Sequence, residues 1–425
     1  MNILLLCHSF PFPPTSGDKI RSYNVIQHLA VRHQVTVATL ARKPEHLKLA
    51  AEQRKNIRMV TAEVRDSLQT MRMIGRLPTA TPSSFGFFYS RALARAVDRL
   101  LRNEKFDLIF VHCSSVARYV DHVDDIPRIL DFADMDSQKW LDYGVHRQFP
   151  VSLGYRLEGI KLEREERRLA GLFDMCTVVT PAELATLDSY GAAKQTDWFP
   201  NGVDCEYFSP GDGQYDPNMI VFVGKMNYFP NEQCMIDFCR DTLPAIRREL
   251  PAARLAIVGS NPTRAVRALA RLPSVSVTGA VDDVRPYLHR AAVAVAPLEV
   301  ARGTQNKVLE AMAAGVPVVA SALAARGVDA VVGEHLLVGK TPEEFAQAVL
   351  SIMRDRTYRT RLAQLGRQRM LSKHTWKHAM ERLDEIVAKT LDLQSSPTCA
   401  GSRHDHAVVE QPSLDRVDAG TSGPQ

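Results

Sequence analysis

From the first residues onward, short apolar runs alternate with segments of helical spacing. Asn2–Cys7 is a compact apolar run followed by a Pro-rich loop from Phe10 to Gly17. Residues 20–32 put Val25, Ile26 and Leu29 on one helical face, and residues 34–40 alternate with β-branched side chains. Residues 91–103 read as an amphipathic helix through Leu93, Val97 and Leu100. Residues 107–112 form a continuous apolar strand ending in His112, and 128–131 a short strand ending in Asp131. A long charged helix over 153–172 and a strand over 175–180 follow. This alternation predicts an α/β fold: a parallel, doubly wound sheet with helices on both faces. Functional groups in such sheets collect at the C-terminal strand ends, where His112 and Asp131 lie.

Residues 200–217 (PNGVDCEYFSPGDGQYDP) interrupt the pattern with Pro, Gly and Asp, and the alternation then restarts. Strands are expected at 219–224, 253–259, 274–278, 292–296 and 317–321. Helices are expected at 233–249, 284–290, 304–314 and 342–355, and the chain reads as helical throughout 358–393. Two halves of similar grammar predict two Rossmann-like domains facing a cleft. The boundaries are 1–199, a linker at 200–218, 219–375, a helix at 376–393 that crosses back, and a disordered tail over 394–425. The tail lacks periodicity and is rich in Ser, Pro, Gly and Asp.

Composition sharpens this little. The 425 residues carry 45% hydrophobic and 24% charged side chains, ordinary for a globular protein. The net charge of +5 is uneven: residues 42–105 hold 14 Lys/Arg against 6 Asp/Glu, a net of +8, so the rest sums to −3. Such a balance gives no reason to expect nucleic acid as a partner. Seven cysteines without a C-x-x-C pair predict reduced thiols and a cytoplasmic setting. The N-terminus reads as a strand, not a signal peptide.

The most informative segment is 302–320, RGTQNKVLEAMAAGVPVVA. Gly315 and Pro317 end a short helix. The N-terminus of that helix offers free N–H groups, Gly303 permits close approach of an anion, and Lys307 adds a cation. Lys307 and Glu310 share a helix face. That pattern fits a diphosphate beside a ribose, and equally an ordinary surface ion pair.

The segment resembles the donor-binding motif of family 4-type, GT-B-fold retaining glycosyltransferases. PNGVD..YFSP at 200–210, FVGKM at 222–226 and FPPTSGDKIRSYNVIQHLA at 12–30 resemble other signatures of that family, over roughly residues 1–390. Within it, GDKIR, DFADMDSQKW and ARGTQNKVLEAMA resemble sugar transferases associated with PEP-CTERM/exosortase exopolysaccharide loci. The resemblance implies sugar transfer from a nucleotide-sugar donor to a glycan or lipid-linked acceptor with retention, without cofactor or metal. It implies His112 as the catalytic-site residue beside the transferred sugar. It implies Glu310 on the donor ribose, Lys225 and Lys307 on the diphosphate, and Gly17 and Gly303 where backbone meets phosphate. Lys19, Asp131, Asp134 and Arg302 are further candidates. A sugar-nucleotide epimerase on the same fold, or an inactive scaffold, are the alternative readings.

The sequence also departs from the family pattern. Arg302 stands where many relatives carry a second glutamate, and Pro230 where a lysine often follows the residue at Lys225. Arg302 is a candidate for the missing positive charge. Asp134-Met135-Asp136 spells D-x-D, a metal signature of another glycosyltransferase fold; here a packing or acceptor-side role is expected. GEHLLVGKT at 333–341 approximates a P-loop, but Thr341-Pro342-Glu343-Glu344 reads as a helix cap. His404 and His406 read as part of a solvated tail. The aromatics Phe85 to Tyr89, between Arg76 and Arg91, fit either the core or peripheral contact with the inner membrane.

Overall fold

The computed structural model describes residues 1–52 and 56–395. The remainder of the predicted tail, with His404 and His406, lies outside the described residues. The described residues form two parallel sheets. In the first, β1 (Asn2–Cys7), β2 (Gln34–Ala41), β3 (Ile57–Glu63), β4 (Leu108–His112), β5 (Arg128–Ala133), β6 (Met175–Val178) and β7 (Thr196–Trp198) run in the order β3-β2-β1-β4-β5-β6-β7. In the second, β8 (Asp216–Val223), β9 (Arg254–Val258), β10 (Val275–Val277), β11 (Ala291–Ala296), β12 (Val318–Ala320) and β13 (Leu337–Val338) run in the order β10-β9-β8-β11-β12-β13. The order reverses between β1 and β4, and again between β8 and β11. These are the two switch points at which such sheets open a crevice.

Strand parity distributes the first core over two faces. Leu4, Leu6, Ile109, Val111 and Leu130 pack one way, against Leu93 and Val97 of the helix Arg91–Asn103 and Leu162 and Leu169 of the helix Val151–Leu172. Ile3, Leu5, Leu108, Phe110 and Ile129 pack the other way, onto Val25, Ile26 and Leu29 of the helix Gly17–Arg32. The same face is completed by Ala379, Met380, Leu383 and Ile386 of the C-terminal helix Trp376–Ser395. That helix follows the second sheet in sequence but buries its apolar stripe in the first domain. The second sheet has one continuous core of its own.

Some elements differ from the sequence expectation. The second sheet begins at Asp216, inside the expected linker. The helix expected at 233–249 is Phe229–Asp237, a π-helical turn Phe238–Thr242, and Leu243–Glu249. Pro244 supplies the reason: it has no N–H for the α-helical ladder. The run 358–393 divides into Arg356–Lys373 and Trp376–Ser395. The linker crosses that break, with Val203 N–H donating to the His374 carbonyl at 2.7 Å. A Cβ on Gly202 would lie 2.5 Å from the Trp376 nitrogen, so only glycine permits this crossing. Thr341 caps the helix Pro342–Arg354 by accepting from Glu344 N–H at 3.2 Å, consistent with the cap rather than a P-loop. Phe85 is buried in the first core, Arg42 stacks on Phe87, and Phe87, Phe88 and Tyr89 are half-buried, which favours packing for this segment.

Candidate active site

The register of four parallel strands builds the site. Cys7 pairs with His112, His112 with Asp131, and Asp131 with Thr177, so these positions form a row at the C-terminal strand ends. Asp131 is fully buried and collects donors. Arg21 Nε and Nη2 donate to it at 2.8 and 2.9 Å, His112 Nδ1 at 2.9 Å and Thr177 Oγ1 at 3.1 Å. Burial alone would raise its pKa, but the Arg21 guanidinium and the His112 hydrogen bond hold it well below the usual carboxylate range. An ionised Asp131 can only accept, so the proton of His112 sits on Nδ1. His112 Nε2 is left buried on the cavity wall without a protein partner.

Arg21 was not among the residues expected at the site, although it lies in the GDKIR segment. It also donates through Nη1 to the Phe199 carbonyl and Asn201 Oδ1, at 3.1 and 2.9 Å, and stacks 3.6 Å from the Phe199 ring. One side chain thus ties the end of β5 to the start of the linker. The available signal was an arginine on the apolar stripe of its helix, four residues before Val25 and eight before Leu29.

From the second domain, the loop after β11 and the helix Asn306–Ala313 face this row. Gly17, first residue of its helix, lies opposite Asn306: a Cβ there would sit 3.4 Å from Asn306 Nδ2. Two helix N-termini therefore meet across the cleft. A cavity of about 440 Å³ opens between them, lined by His8, Gly17, Arg21, His112, Thr304 and Asn306 among others. Twelve buried polar side-chain atoms lack a partner among the described residues; five of them line this cavity. They are His8 Nδ1, Ser84 Oγ, His112 Nε2, Thr304 Oγ1 and Asn306 Oδ1. Buried polar atoms are normally paired, so this concentration marks a surface prepared for a polar ligand.

Glu310 lines an adjoining cavity of about 370 Å³ together with Tyr23, Asn24, Asp204 and Asn306. Burial pushes its carboxyl up to about 7, against the attraction of Lys307. Burial pulls the Lys307 ammonium down to about 8, against the attraction of Glu310. Lys307 donates to Asn231 Oδ1 at 2.5 Å and lies 4.9 Å from the Phe222 ring. Asn231, another residue not anticipated, is buried and also donates to the Lys225 carbonyl at 3.0 Å. It stands immediately after Pro230 and connects the Lys225 loop to Lys307. The Lys225 side chain itself is exposed beyond β8. Lys19 is half-buried in the first turn of its helix and is not among the residues that line the cavity.

Arg302 is engaged across the cleft, and Asp134, which also lines the cavity, meets Gly303 of the other domain. Arg302 crosses the cleft to Asp142, Nε to Oδ2 at 2.8 Å, and lies 3.6 Å from Glu183. Its charge therefore joins the domains, so the expectation that it replaces a missing donor cation is not supported by its contacts. Gly303 has φ +59°, and a Cβ there would sit 1.8 Å from Asp134 Oδ1. The anion that approaches Gly303 in this structure is a carboxylate of the other domain. Burial pushes Asp134 up to about 6. Asp136 pairs with Lys139 at 2.9 Å, so the D-x-D carboxylates are separately engaged. Among the described residues, His8, His112 and Cys113 bring ligand atoms within 4.8 Å of one another. His112 offers only Nε2 to such a group, because Nδ1 serves Asp131.

Comparison with known proteins accounts for this architecture. A family model described as Glycosyltransferase Family 4 matches residues 19–207, and one described as Glycosyl transferases group 1 matches 217–355. Both halves of the chain thus match glycosyltransferase family models, and the fold is GT-B. A curated relative, the GDP-mannose-dependent alpha-(1-6)-phosphatidylinositol monomannoside mannosyltransferase of Mycobacterium tuberculosis, is 29% identical over 254 residues. That match takes in 53% of this chain and 63% of the relative, under two thirds of its length. The fold is shared with sucrose-phosphate synthase from Thermosynechococcus elongatus, at TM-score 0.70 and 17% identity, covering 92% of this chain and 100% of that one. Anabaena HepE, solved with UDP and glucose, superposes at TM-score 0.66 with 13% identity, again over 92% and 100%. In this GT-B chain the two family matches meet at the linker that Arg21 anchors. No helix among the described residues is long and apolar enough to cross a membrane.

Proposed function

We propose that this protein moves a glycosyl group from a nucleotide-sugar donor to a glycan or lipid-linked acceptor, with retention at the anomeric carbon. The observation that carries the reading is the set of five unpartnered polar atoms around one cavity, between two facing helix N-termini. In this reading the donor diphosphate lies at those N-termini, where Lys307 and free backbone N–H groups stabilise the charge that grows on the leaving group. Glu310 accepts from the ribose hydroxyls. His112, its tautomer fixed by Asp131, accepts a hydroxyl hydrogen bond from the transferred sugar through Nε2. Domain closure keeps water from the oxocarbenium-like transition state and so suppresses donor hydrolysis. The family resemblance supports retention, and the GDKIR and DFADMDSQKW segments support an exopolysaccharide or its lipid-linked precursor as the acceptor.

The test is turnover by purified protein with a nucleotide-sugar panel and membrane-extract acceptors. GDP-mannose and UDP-glucose head the panel, because the relatives' names and ligands include them. Acceptor-dependent release of nucleoside diphosphate is expected. His112→Ala and Glu310→Gln should each lower kcat/KM about 10- to 100-fold, the range for one hydrogen bond involving a charged group. Release without acceptor and with free sugar would favour an epimerase. Absence of any Glu310-dependent release would favour a scaffold.

A further inference from the structure

Large apolar side chains are exposed together on one side of the first domain. The helix Asp66–Gly75 and the residues after it present Leu68, Met71, Ile74 and Leu77, Met71 at 68% exposure. The helix Val151–Leu172 presents Leu153, Leu157 and Ile160 at spacings of four and three, one continuous stripe. Phe149, at the turn before that helix, is 80% exposed.

These segments are adjacent. Lys161 Nζ donates to the Leu77 carbonyl at 2.7 Å. Glu158 accepts from the backbone N–H groups of Ser83 and Ser84 at 3.0 and 2.8 Å, which ties the short helix Ser83–Phe87 to the long one. Gly86 in turn backs closely onto Arg72. Cations dominate around the stripe, and the carboxylates at its ends, Asp66 and Glu163, are paired with Arg42 and Arg167. Residues 67–80 hold Arg72 and Arg76 and no carboxylate; residues 145–161 hold Arg147, Arg156 and Lys161, with Glu158 buried as the one carboxylate. The inner sides of the same helices line the active-site cavity through Ser84, Phe85 and Leu162.

We infer that this face docks on a bilayer containing anionic phospholipid, inserting the leucine and isoleucine side chains while the arginines meet the headgroup phosphates. A second copy of the chain fits poorly, because a two-fold contact would oppose the same cations to one another. An apolar patch rimmed by cations matches an anionic interface instead. The docked face adjoins the cavity wall, so an acceptor carried on a lipid would enter beside His112. The inference rests on the proposed lipid-linked acceptor for its purpose only. It relocates membrane contact from the aromatics at 85–89, which are buried or half-buried, to aliphatic residues of two neighbouring helices.

The experiment is vesicle flotation with the full chain and neither donor nor acceptor, which separates this inference from turnover. Phosphatidylcholine vesicles with about 30% phosphatidylglycerol should carry the protein at low salt, with loss at high salt; pure phosphatidylcholine should carry little. Arg72→Ala/Arg76→Ala/Arg156→Ala should weaken partition to anionic vesicles roughly 100-fold, at about fivefold per cation. Met71→Ser/Leu157→Ser/Ile160→Ser should abolish flotation while the melting temperature and donor turnover on a soluble acceptor stay unchanged. These side chains already face solvent, so their loss should not impair folding. Failure of the wild type to float with anionic vesicles would overturn the inference. So would undiminished flotation of the apolar variant, or a concentration-dependent dimer that the apolar variant abolishes while vesicles bind neither protein.

Discussion

Lys307 and Glu310 show how a pair one helical turn apart acquires properties that neither position has in isolation. Both lose hydration in the cleft, so the ordinary separation of their pKa values shrinks to about 8 for the ammonium and about 7 for the carboxyl. In the proposed role of Glu310, ribose binding needs the carboxylate, which accumulates as pH rises through 7. In the proposed role of Lys307, diphosphate binding needs the ammonium, which is lost as pH rises through 8. Donor kcat/KM should therefore reach a narrow maximum between about 7 and 8, falling up to tenfold per pH unit on either side. A pH series at saturating acceptor checks this, and Glu310→Gln should remove the acid limb alone. A flat profile in the wild type would refute the assignment. His112 and Glu310 were readable from strand end and motif. Arg21 and Asn231 were not, because their partners lie 110 and 76 residues away, on Asp131 and Lys307.

At the scale of elements, the unit β11, loop and helix Asn306–Ala313 carries the clearest sequence signal and the tightest structural constraint. The motif announced the helix, its Gly315 end and the glycine at 303. It did not announce that Gly303 would meet Asp134 of the other domain. Gly303→Ala adds a left-handed backbone cost of roughly 1–2 kcal/mol and a methyl where the Asp134 carboxylate lies. Donor KM should rise about tenfold or more, read by steady-state kinetics. Asp134→Gly in the same chain should recover part of that loss, because only the backbone cost remains. If the double variant were no better than the single one, the close approach would not be the cause. The π-helical turn at Phe238–Thr242 and the break at His374 follow the same logic: Pro244 and a crossing linker interrupt patterns that periodicity alone would continue.

For the whole molecule, several contacts span the cleft and would hold the proposed closed state. Arg302 reaches Asp142 and Glu183, Tyr143 donates to the Tyr228 hydroxyl at 2.9 Å, and Arg147 stacks 3.8 Å from the Phe229 ring. The Arg302 pair is partly solvated, so its worth is near 1 kcal/mol or less. Arg302→Ala should raise donor KM up to about fivefold with little change in kcat, and increase the radius of gyration measured by small-angle X-ray scattering without donor. Unchanged scattering and KM would exclude Arg302 from closure.

The sequence by itself determined the two-domain α/β alternation, the Pro- and Gly-rich join near residue 200, and the strand-end positions of His112 and Asp131. These follow from local periodicity and turn chemistry, which neighbouring residues encode. It left the charge of Arg302, the D-x-D carboxylates and the aromatics at 85–89 open among several roles. Tertiary structure alone decided those, because each role depends on a partner from another element: Asp142 for Arg302, Gly303 for Asp134, the first core for Phe85. The +8 segment is the clearest case. Its charge was plain in the sequence, but only the packing of two helices set its arginines beside a solvent-facing aliphatic stripe, because exposure is a property of the fold and not of the residue.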